Sequence, residues 1–279
     1  MTRRTGHAVG DVVDAQQGPS EKAPATSLPF RKLAPAWAAL LLVAVLAWVV
    51  TVDQSRGMGV GLGTMGLALV PFLALWVVMM AAMMFPSVAP VAILWSNVIR
   101  GKSDGWHRVW RLSSFIAGYI VAWAVFGVAA YVALLETQRL VDARPGAASW
   151  LGTAVFVAAG LYQLTPLKQA CLRQCRSPIM ALFHYSSFKG PARDLRVGIH
   201  HSLYCVGCCW GLMLVLVAVG VMNVAAMVAL AVIIFVEKLW RRGTGLSKVV
   251  GVAFLLLAVL VPFEPWLLPG LRSSMSGGM

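Results

Sequence analysis

The chain has 279 residues, 59% of them hydrophobic and 12% charged, with a mean hydropathy of +0.79. A soluble globular domain is nearer about 45–50% apolar and about 25% charged, so this composition excludes an ordinary soluble fold and assigns most of the chain to lipid. The net charge of +13 does not indicate nucleic acid, because the 23 Lys and Arg lie between apolar runs rather than on a basic soluble face.

Residues 1–32 are polar, rich in small residues and without an apolar leader core, and are expected to form a disordered cytoplasmic tail. A helix needs roughly 20 apolar residues to cross a bilayer. Seven segments qualify: 34–52, 64–96, 112–135, 149–167, 203–220, 222–239 and 248–263. They imply an all-α, polytopic transmembrane bundle over residues 33–265, followed by a flexible tail at 266–279. The second segment is over-long and carries Pro86 and Pro90, which predicts a kinked helix whose last turns leave the membrane. The fifth and sixth are almost contiguous and predict a tight helical hairpin, with Asn223 capping its second arm. His107, Trp106 and Trp110 lie in a basic loop that reads as an interfacial anchor.

Basic residues test these spans. With the span-end residues Lys238 and Lys248 counted to the loop between them, alternate inter-span regions hold 19 and 4 of the 23 Lys and Arg, which places the amino terminus in the cytoplasm and the carboxyl terminus outside. The connection 168–202 then lies on the cytoplasmic side, and all five cysteines lie in it or within three turns of it. Cys171 and Cys175 are spaced i, i+4 and share a face if the fourth helix continues past Pro166. At 100° per residue, His201, Cys205 and Cys208 fall within about 60° on the fifth helix, with Cys209 at the edge and His200 in reserve. Five clustered cysteines do not suggest a disulfide framework. Thiolates and imidazoles suit Cu(I) and Zn(II), although the spacing matches no common zinc motif. The competing reading is inert packing, since free cysteine behaves as a small hydrophobe.

The second segment reads WVVMMAAMMFPS. Met79 with Met83, and Met80 with Met84, form two pairs of thioethers, ligands that favour soft monovalent ions. Methionine also fills irregular gaps in apolar helices, which is the plainer account. Glu237, near the cytoplasmic end of the sixth span, is expected to pair with Lys238 or a nearby Arg, or else to complete a metal shell.

WVVMMAAMMFPS, YQLTPLKQACLRQCRSP, GIHHSLYCVGCCWGLMLVLVAVGVMNVAAM and EKL together resemble a bacterial family of predicted metal-binding integral membrane proteins, a domain of unknown function. The resemblance covers roughly residues 65–240. It implies metal binding in the bacterial cytoplasmic (inner) membrane, and the copper-handling neighbourhood of some relatives leans the metal towards copper. The resulting expectation is a non-enzymatic, multi-pass protein handling Cu(I), with zinc as the second choice of metal. It would either transport copper or deliver it to a membrane enzyme or metallochaperone. Its metal ligands would be Cys171, Cys175, His200, His201, Cys205, Cys208 and Cys209, with Met79, Met80, Met83, Met84 and Glu237. Two alternatives stand beside it. One is a membrane thiol–disulfide oxidoreductase, although its cysteines would normally face the oxidising compartment. The other is an accessory subunit whose small residues (Gly118, Gly160, Gly211, Gly220) pack against partner chains.

Overall fold

The computed structural model describes residues 30–57, 64, 66–100, 105–144, 146–177, 185 and 187–263. Of the expected tails at 1–32 and 266–279, residues 1–29 and 266–279 lie outside them, and residues 30–32 begin α1. Residues from Pro35 onward pack as one unit; of the other unit, Met1–Ala34, only the first turn of α1 is described. Eight helices run through the described residues, with no strand: α1 Phe30–Gly57, α2 Leu69–Arg100, α3 Gly105–Ala143, α4 Ala147–Leu164, α5 Pro166–Arg176, α6 Arg193–Val219, α7 Val224–Leu239 and α8 Gly243–Leu260.

Six of these, α1, α2, α3, α4, α6 and α8, are long and apolar enough to cross a membrane. The seven expected segments map onto seven helices, but α7 has only 16 residues. At 1.5 Å per residue it is about 24 Å long, short of a hydrocarbon core of about 30 Å. Helix ends also depart from the hydropathy windows. α3 continues well beyond 112–135 at both ends, because its flanks are polar but contain no residue that breaks a helix.

The fourth helix does not continue past Pro166. Thr165 is extended (φ −70°, ψ 149°), and its hydroxyl accepts a hydrogen bond from the Lys168 amide at 3.2 Å, capping a new helix with proline in its first turn. Within the expected 168–202 loop, α5 therefore occupies the start and the first turns of α6 the end. Asn223 caps α7 as expected, its Oδ1 accepting from the Ala226 amide at 3.1 Å.

The bundle is held by close backbone approach. α3 and α6 cross at Gly118 and Gly198. A Cβ on Gly198 would lie 2.1 Å from the Phe115 carbonyl oxygen, and one on Gly118 would lie 2.2 Å from that of Leu195. Gly160 similarly faces Gly251 of α8, and Gly211 lies against Ala159 and Tyr162. Three of the four small residues expected to meet partner chains, Gly118, Gly160 and Gly211, thus serve contacts within this chain, as small residues do between membrane helices. Near the start of α6, Asp194 accepts from Arg111 Nε at 2.8 Å and from Trp95 Nε1 at 3.1 Å, tying α2, α3 and α6 together. Large apolar side chains such as Leu42, Val125 and Val259 point outward, while the methionines of α2 and the cysteines of α6 lie in one buried cluster.

Candidate metal centre

Two helices deliver the thiols. On α6, Cys205, Cys208 and Cys209 are each 1% exposed, on the inward face that the 100° spacing predicts. α5 lies against this face with Cys175 buried and Cys171 partly exposed. The close approach depends on Gly207, where a Cβ would come within 2.9 Å of Cys171 Sγ. Cys175 of α5 and Cys208 of α6 lie in the same buried cluster. Cys208 and Cys209 donate to the Cys205 carbonyl at 3.1 and 2.8 Å. Cys205 Sγ itself lies 3.0 Å from Tyr119 Oη and 3.0 Å from Lys238 Nζ. The Cys208 contact, followed by burial, pushes the Cys175 thiol well up from its usual range. Burial, followed by nearby Cys208, pushes Cys171 up too.

The histidines precede the thiols on α6. His201 is 2% exposed, its Nδ1 is 3.1 Å from Tyr185 Oη, and its ring lies near those of Phe115 and Tyr119. His200 packs edge-on against Tyr185 and Tyr204. Met79, Met80, Met83 and Met84 are all buried, so both pairs turn into the bundle rather than towards lipid. Ser87, one turn beyond, donates to the Met84 carbonyl at 2.8 Å and accepts from Lys238 Nζ at 3.2 Å. One ammonium thus bridges the thiol cluster and the methionine helix.

Glu237 is paired, but not with its neighbour in sequence. Its carboxylate accepts from Lys168 of α5 at 2.8 Å and from Gln163 Nε2 of α4 at 3.2 Å. Lys168 also donates to the Cys208 carbonyl, and Ser247 of α8 donates to Gln163 at 3.2 Å. The expected Glu237–Lys238 pair fails because consecutive residues are about 100° apart on a helix. Glu237 faces α4 and α5, whereas Lys238 faces α2 and α6. Lys168 and Lys238, counted above as cytoplasmic charges, are 1% and 6% exposed. They, Tyr119 and Ser87 are the site residues that sequence reasoning missed. Its one available signal was two lysines, each within four residues of a predicted span or a cysteine.

Among the described residues, no three His, Cys, Asp or Glu side chains are posed to hold a metal ion. The thiols are adjacent, but Cys208 and Cys209 are turned onto a backbone carbonyl. Rotation about χ1, a change between staggered wells, is needed to turn their sulfurs towards a shared ion. Such a pocket of soft donors inside an apolar bundle suits a monovalent soft metal better than a hard one. Residues 73–261 match the model of the PpoB2 family, described as a copper chaperone. The chain belongs to that family. The match spans the methionine run of α2, both cysteine helices and Glu237 with Lys238. No curated protein and no solved structure matches the chain.

Proposed function

We propose that this chain is a multi-pass protein of the bacterial inner membrane that takes up Cu(I) and passes it to a membrane enzyme or a metallochaperone. The observation that carries the reading is the packing of Cys175 against Cys208, with Cys205 and Cys209 beside them, in a member of a copper-chaperone family. Cys171, the partly exposed thiol, is the point of first contact. Cys175, Cys205, Cys208 and Cys209 form the holding site, and His201 and His200 flank it. The pairs Met79/Met83 and Met80/Met84 give weaker thioether sites from which copper leaves. Glu237 serves in place rather than as a ligand, since Lys168 and Gln163 occupy its oxygens. The positive-inside count supports a cytoplasmic position for the thiols.

Metal content of anaerobically purified protein tests this, wild type beside a Cys205/Cys208/Cys209→Ala variant. About one copper per chain in the wild type and none in the variant is the expected result. Zinc in place of copper would indicate a structural clamp, and equal metal content in both proteins would sink the reading.

A further inference from the structure

Lys238 is buried, and its ammonium touches Cys205 Sγ at 3.0 Å and Ser87 Oγ at 3.2 Å. Among the described residues no carboxylate lies within ion-pair distance of it, because Glu237, its neighbour in sequence, is committed to Lys168. A cation held in an apolar interior needs an anion beside it. Here only sulfur is in place to supply it.

We propose that Lys238 is a specificity-determining residue of the thiol cluster, its ammonium being the fixed counter-charge of a monovalent metal held by two thiolates, one of them Cys205. The inference rests on reading the cluster as a Cu(I) site. When Cu(I) binds Cys205 and one neighbour among Cys175, Cys208 and Cys209, both thiol protons leave to solvent. The two-thiolate complex then carries one negative charge, and with Lys238 the site is neutral. Zn(II) on the same two thiolates forms a neutral complex and leaves the ammonium unbalanced, so it must recruit a third thiolate and a fourth donor. Copper thus reaches a neutral site in a low-dielectric interior with two thiolates, whereas a divalent ion needs three.

The test compares wild type, Lys238→Met and Lys238→Arg, each as the full chain purified anaerobically in detergent. Affinities for Cu(I) and Zn(II) are measured against chelator buffers. Lys238→Met is expected to lower the ratio of Cu(I) to Zn(II) affinity by about tenfold or more, because one unit charge at contact in a protein interior exceeds the free energy of a tenfold change. Lys238→Arg should keep the ratio. An unchanged ratio in Lys238→Met, or an equal loss of both metals, overturns the assignment. A wild type that takes up no Cu(I) overturns the copper reading and this assignment with it. Wild-type copper binding with an unmoved ratio in Lys238→Met overturns the role of Lys238 alone.

Discussion

The two lysines at the site have opposite dependences on their partners. Lys168 is neutralised by a carboxylate, and both are almost fully buried. Removing one member of such a pair leaves the other as an uncompensated charge, which costs about 3–5 kcal/mol. Glu237→Leu should therefore lower the melting temperature of the detergent-solubilised protein sharply, and Lys168→Met combined with Glu237→Leu should recover much of the loss. A double variant as unstable as the single one would mean that the Lys168 bond to the Cys208 carbonyl matters more than its bond to Glu237. Cys171 offers a second test at this scale, since it is partly exposed and the other four cysteines are buried. A maleimide should label it first, and Cys171→Ser should remove the fast phase. Because burial raises its pKa, little thiolate is present at neutral pH, and the fast phase should accelerate as pH rises through the alkaline range. Prior loading with Cu(I) should slow it.

At the scale of elements, the crossing of α3 and α6 sets where the thiols lie. Gly198→Ala would push a methyl into a backbone carbonyl, which no rotamer can relieve. A loss of about 2–3 kcal/mol, read by thermal unfolding, is expected. Gly245→Ala, where a Cβ meets nothing within 4 Å, should be neutral or slightly stabilising. The methionine helix is the opposite case. Met80→Leu with Met84→Leu conserves volume and should cost less than about 1.5 kcal/mol each, yet should slow the release of Cu(I) to an acceptor chelator. Equal release rates would assign these methionines to packing alone. The helical face of Cys205, Cys208 and Cys209 was legible in the sequence because one helix with one period carries them. That Cys175 joins them was not, because it depends on the break at Thr165 and on the absence of a side chain at Gly207. Glu237 was legible as a paired carboxylate. Its partner was not, because Lys168 lies on another helix and only tertiary packing brings it within reach.

For the whole molecule, the expected topology turns on α7, which is short for a span yet would have to cross for the two termini to lie on opposite sides. Its register with α6 fits a crossing, because Cys205 lies at the start of the expected span 203–220. The pair turn at Gly220–Asn223, and the contact of Lys238 with Cys205 brings the far end of α7 level with the middle of α6. α6 continues 12 residues from Cys205 back to its start at Arg193, so α7 ends well within the length of α6. The basic residues that follow immediately, Arg241 and Arg242, are exposed and belong at a membrane face. Setting aside buried Lys168 and Lys238 lowers the cytoplasmic count from 19 to 17 against 4, so the bias survives the correction. A short helix can meet a bilayer by local thinning at modest cost. The expected outcome is that a phosphatase fused after Phe263 is active outside the cell, while one fused in the α7–α8 turn near Arg242 is inactive and a fluorescent protein there is bright. Activity at both points would mean that α7 returns without crossing, and the cluster around Lys238 would then face the other compartment.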